Sequence, residues 1–170
     1  MMNRNPQIPN RKFTARFSLG LQQNSGIFSC MKNALVRSPH ATVGGLVYFG
    51  RMLDKIRIHA DGRLPDDLAE NLGKGFDAVC CRFLRINYDE LRTRTLAGGT
   101  DEDLLAWAQE HGRRVEPDDI QIWNDYMRKR GWNDELSDRL KFRLEEAHAA
   151  HRTDIQTMFD YIDFDEGRRP

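Results

Sequence analysis

No uncharged apolar run approaches the ~20 residues needed to cross a bilayer, so a membrane-spanning helix and a membrane partner are not expected. Cysteine is scarce, with Cys30, Cys80 and Cys81 and no CxxC pair. The number is odd, and neighbours on a helix point about 100° apart, which argues against a disulfide framework. That usage fits a reducing cytosol, giving a cytoplasmic expectation, with Cys80 read as a small buried hydrophobe. Acid is missing from residues 1–53, which hold seven basic residues: Arg4, Arg11, Lys12, Arg16, Lys32, Arg37 and Arg51. Also lacking are alternating β-branched runs of strand length and any repeat at a fixed period.

What is there is a 170-residue chain, 31% charged and 39% apolar, long enough for one domain with one core. Its 26 basic and 26 acidic residues balance, but unevenly. Residues 54–170 carry 19 basic against 26 acidic groups, and an acidic body lacks the face that neutralises phosphates. Nucleic acid is therefore not an expected partner. Residues 1–35 read as a flexible basic arm, without sustained period and without a 7–15-residue apolar stretch for secretion. Met31 is a second candidate start within it.

Residues 36–170 read as an all-α domain of about seven short helices. Leu46, Phe49, Leu53 and Ile56 recur at three- and four-residue steps, in a helix running from Gly45 to the stop at Gly62 and Pro65. Phe76, Val79, Cys80, Phe83 and Leu84 trace the second. Asn87 caps the third, Thr100 the fourth and Pro117 opens the fifth, closed by Gly98-Gly99, Gly112 and Gly131 respectively. The sixth spans about Asp134–Ala150, and the seventh follows Thr153-Asp154.

Most chemical motifs fail on their own physics. Gly45–Met52 imitates a phosphate loop but has Arg51 for its lysine, Met52 for its hydroxyl and no preceding strand. Ser29–Lys32 matches SxxK without companions. Glu145–His148 is a single ExxH, whereas di-iron bundles need two and further glutamates. No metal and no cofactor is expected. Trp107, Trp123, Trp132, Phe159 and Tyr161 could line a ligand pocket, but at helical spacing most of them read as core.

One constellation remains. Ser38-Pro39-His40 and Gly44-Gly45 lead into the first helix, and a glycine turn at a helix N-terminus offers amides to an anion. Arg51, Lys55 and His59, four apart, share a face, with Asp54 placed to orient Arg51 or Arg57. The plain alternative is a solvated helix face. These residues resemble the S-P-R…G-G…P-R…D-K-x-R pattern of an uncharacterised bacterial family, domain of unknown function 5069. The resemblance runs through Gly73–Asp77, Trp123-Asn124, Met127–Asn133 and Asp154–Asp163, over about residues 36–167. His40 stands where that pattern has arginine, and Gly50 where it has proline. The resemblance implies a small cytosolic domain and no particular activity.

Two functions follow as expectations. The first is binding of a small anionic metabolite, phosphorylated ones included, with catalysis left unassigned. Ser38, His40, Gly44, Gly45, Arg51, Asp54 and Lys55 would form the site. The second is a non-catalytic protein-interaction or homo-oligomeric module using Trp132, Phe159, Tyr161 and Phe164.

Overall fold

A computed structural model describes residues 36–169. The expected basic arm, Cys30 and the SxxK run lie outside these residues. A two-stranded antiparallel hairpin, β1 (Thr42–Val43) and β2 (Leu46–Val47), precedes eight helices. These are α1 (Phe49–Ala60), α2 (Asp66–Ala69), α3 (Phe76–Leu84), α4 (Tyr88–Leu96), α5 (Asp101–His111), α6 (Pro117–Lys129), α7 (Ser137–Glu146) and α8 (Met158–Asp165). The chain is mainly helical, as its periodicity predicts. Among the described residues no helix is long and apolar enough to cross a membrane.

α1 is the axis of the core. Phe49, Met52, Leu53 and Ile56 are at most 1% exposed, and they meet Leu84, Leu91, Leu104, Met127 and Phe159 from five other helices. Side chains buried this fully contribute roughly 1.5–3 kcal/mol each, an upper estimate against a compact unfolded chain. A second cluster, Leu140, Leu144, Ile155 and Met158, joins α7 to α8.

The first helix starts later than the sequence predicts. Gly44 and Gly45 have φ of +54° and +83°, the handedness a tight hairpin turn requires, so Leu46 belongs to a strand. The hairpin is pinned from α6: Val47 N–H donates to Asn124 Oδ1 (3.0 Å), Asn124 Nδ2 to Gly45 O (2.8 Å) and Trp123 Nε1 to Val47 O (3.1 Å). Pro65, read as a stop, also opens the one-turn α2, with Asp66 and Asp67 in its first turn.

Asn87, Thr100 and Pro117 mark helix starts where expected. The last two helices are shorter than expected, for local reasons. Asp134 Oδ1 accepts from Gly131 N (3.0 Å) and Leu136 N (2.8 Å), holding a turn that delays α7. Beyond its end, His148 enters the left-handed region at φ 53°. α8 waits for Thr157, whose Oγ1 accepts from Asp160 N (3.1 Å) while Asp160 Oδ2 accepts from Thr157 N (3.0 Å). Asp154 instead takes a bond from Arg152 Nε (2.8 Å).

Candidate functional site

Four-residue spacing on α1 does put Arg51 and Lys55 on one face, but that face points inward. Each is only 3% exposed, whereas His59 is exposed near the helix end. Arg51 makes a two-pronged contact with the buried Glu166 beyond α8: Nη1 lies 2.9 Å from Oε2, and Nη2 meets Oε1. Arg51 Nη1 also donates to Arg37 O (2.8 Å), and Arg168 Nη1 reaches Glu166 Oε2 (2.5 Å). Burial alone would lower the Arg51 pKa. The Glu166 carboxylate outweighs it, and the net direction is upward.

One turn along, Lys55 Nζ donates to Asp77 Oδ1 (2.6 Å) and lies 3.4 Å from the Tyr48 hydroxyl. Tyr48 donates to the same Asp77 oxygen (2.9 Å), and Gly73 N–H donates to Asp77 Oδ2 (3.1 Å). Asp77 is fully buried. Burial lowers the Lys55 pKa despite Asp77 beside it, and repulsion from Arg51 adds to the lowering. Burial, then the Asp77 charge, pushes the Tyr48 phenol well up. Tyr48 takes φ 72° and ψ −30° just before α1, a conformation that costs a non-glycine residue about 1–3 kcal/mol. Its ring packs against Phe76 and Phe159 (centroids 5.6 and 6.0 Å), so packing holds the strained backbone.

Tyr48, Arg51 and Lys55 line a cavity of about 770 Å³, shared with residues from α2, α3, α7 and α8. Seven cationic side chains line it (Arg51, Lys55, Lys74, Arg82, Arg130, Arg139, Arg143) against three acidic ones (Asp67, Asp165, Glu166). Arg51, Lys55 and Arg130 are buried, Arg130 being paired with Asp134 and Glu135; Lys74, Arg82 and Arg139 are exposed and make no ion pair with a described residue. Phe76, Val79, Leu136 and Met158 supply apolar wall.

The other expected site residues lie elsewhere. Asp54 orients neither Arg51 nor Arg57; it accepts from Arg37 Nε (2.7 Å) and Nη2 (2.6 Å). Arg37 and Arg57 then share Asp101, at 2.7 and 2.6 Å. Ser38 Oγ donates to Asp163 Oδ2 (2.8 Å) and accepts from His40 N (3.2 Å). The His40 ring stands edge-on to Phe159 at 5.1 Å, and burial lowers its pKa. Gly44 and Gly45 are exposed in the hairpin turn, not at a helix N-terminus, and Leu105 fills the space where a Gly44 side chain would go.

Sequence reasoning missed Tyr48, Asp77, Glu166 and the arginines of α3 and α7. For Asp77 a signal existed. It precedes Cys80, Cys81 and Leu84 at three-, four- and seven-residue steps, an acid on an apolar helix face. Glu166 had none, because its partner lies 115 residues away.

No curated protein matches the chain. The sequence pattern of the family described as Domain of unknown function (DUF5069) matches residues 33–168, and the chain belongs to that family.

Proposed function

We propose that the protein binds a small anionic metabolite, carboxylated or phosphorylated, in the cavity beside α1. The observation that carries this reading is the excess of seven cationic over three acidic lining side chains, three of the cations being buried. A volume near 770 Å³ is in the range of small-molecule sites, roughly 300–1,000 Å³, and the mixed apolar wall suits an organic anion. Relative to the sequence expectation, Arg51 and Lys55 stay in the site. Tyr48, Arg82 and Arg139 replace Ser38, His40, Gly44, Gly45 and Asp54. Buried free thiols at Cys80 and Cys81 support a reducing compartment.

The test is a thermal-shift panel of phosphate, phosphorylated sugars and di- and tricarboxylates. A ligand that binds only the native state stabilises it by about 2.7 kcal/mol at roughly 100-fold excess over Kd. Arg82→Ala and Arg139→Ala should abolish the shift while leaving the ligand-free Tm unchanged. A panel without any shift overturns the reading.

A second reading, self-association, rests on α6. Ile122 is 67% and Tyr126 45% exposed, beside a 380 Å³ groove formed with Val79, Phe83 and Trp123. Phe159, expected in such a patch, is fully buried. Light scattering of Ile122→Asp against the parent across a dilution series tests it: a dimer that the substitution dissolves supports association, and a monomeric parent ends it.

A further inference from the structure

We propose that Lys55 is a nucleophilic amine, forming an imine with an anionic carbonyl compound (a 2-oxo acid or a phosphorylated ketone or aldehyde) held in the cavity. The substrate's charge rests on the anion-binding reading; the reacting atom is the addition.

The geometry is that of an amine with its own proton acceptor. Lys55 and Tyr48 line the cavity, while Asp77, 2.6 Å from Lys55 Nζ, does not and is fully buried. Gly73 N–H and the Tyr48 hydroxyl hold the Asp77 carboxylate from two sides, so its oxygen stays aimed at the amine. Arg51 follows one turn earlier on the same helix and also lines the cavity, where it would favour a substrate anion. The apolar wall supplied by Phe76, Val79 and Met158 favours the neutral amine that attack requires, the direction in which burial already moves Lys55. Two other candidate nucleophiles are worse placed. Cys80 is fully buried with its thiol pKa raised, and Lys74 is exposed without an acid beside it. The strained residue Tyr48 holds its phenol against both the amine and the carboxylate.

The chemistry balances within these groups. The Lys55 ammonium gives one proton to Asp77, and the free amine adds to the carbonyl carbon. A proton shifts from nitrogen to oxygen, giving a neutral carbinolamine. Asp77 returns its proton to the departing hydroxyl, water leaves, and the nitrogen lone pair forms the C=N bond as a protonated imine. No oxidant, reductant or metal is consumed.

The experiment treats the full chain with pyruvate, dihydroxyacetone phosphate or uncharged dihydroxyacetone in the presence of borohydride, then maps reduced adducts to peptides. Thermal shifts are recorded with the same compounds and with inorganic phosphate. The expected result is an adduct on Lys55 forming at least about tenfold faster than on Lys129 or Lys141, with a charged probe ahead of the uncharged one. Lys55→Arg, which keeps the charge, should lose the adduct and keep the anion-dependent shift. The map of the parent chain stands as a test even where that variant does not fold. Equal labelling of Lys55 by all three probes keeps the imine and overturns the anion reading. An anion-dependent shift with Lys55 no more reactive than surface lysines overturns the imine and keeps the anion reading. Absence of both overturns both.

Discussion

Two ion networks hang from α1, and they differ in almost every physical respect. On one side Arg51–Glu166 and Lys55–Asp77 are buried, each side chain at most 4% exposed. On the other, Arg37, Asp54, Asp101 and Arg57 form an alternating chain with exposures between 16 and 33%. The half-exposed chain gives up little hydration and gains little. The sealed pairs each give up several kcal/mol of hydration, which attraction and hydrogen bonds must offset. Apolar residues of similar volume would stabilise that position as well or better, so stability alone does not account for two buried bases on one helix. Both stand beside the cavity, the place that the anion-binding proposal gives them.

The sharpest way to break the comparison is to remove one acid from the sealed network. Glu166→Gln strands a guanidinium that cannot lose its proton, and should cost about 3–5 kcal/mol in urea unfolding. A loss below 1 kcal/mol, on the order of a surface pair, would erase the distinction between the networks. Asp77→Asn should cost less, about 2–4 kcal/mol, because Lys55 can neutralise itself by shedding a proton. The double variant Lys55→Met/Asp77→Asn should recover most of that loss. Losses that simply add would mean the two groups are not coupled.

This contrast explains what the sequence could disclose. The apolar stripe Phe49, Leu53, Ile56 was legible because burial repeats with the helical period, and the caps Asn87 and Thr100 because their bonds are local. The inward turn of Arg51 and Lys55 was not. Four-residue spacing defines a face but not what covers it, and the covering residues Asp77 and Glu166 lie 22 and 115 residues away. Asp54 went astray for the same reason: nearby arginines at helical spacing seemed to be its partners, while Arg37, 17 residues upstream, reaches it from outside the helix. The glycine pair was recognised as a turn and assigned the wrong successor, since a two-residue strand is too short to show alternation.

The pH dependence of stability separates the networks less dramatically. Burial holds the Lys55 pKa below its ordinary 10.5, so between the folded value and 10.5 the unfolded chain binds the extra proton. Stability from this group therefore rises with pH through that window, at no more than about 1.4 kcal/mol per pH unit. Tyr48 acts in the opposite sense above its ordinary 10.0, and Cys80 above 9.0, because the folded chain keeps their protons. The readout is accordingly a difference: unfolding free energy of the parent minus that of Lys55→Met, measured from pH 7 upward. It should rise with pH. A flat difference would place the Lys55 charge in water.

The smallest effect belongs to the half-exposed chain. Asp54→Asn keeps the shape of the side chain and removes the charge facing Arg37 at 2.6 Å. Arg37, 31% exposed on its side chain, can turn to water or rely on Asp101, so the loss should be about 1 kcal/mol or less. It should also shrink with added salt, since a Debye length falls from about 10 Å at 0.1 M to 3 Å at 1 M. Glu166→Gln, measured in the same two salt concentrations, should lose nearly the same amount in both, because dissolved salt screens a pair at most 4% exposed far less. Matching salt responses for the two variants would show that water and ions reach Arg51 as freely as Arg37. The cavity would then be an open surface on which buried charge has no special role, and neither anion selectivity nor an activated Lys55 could be built there.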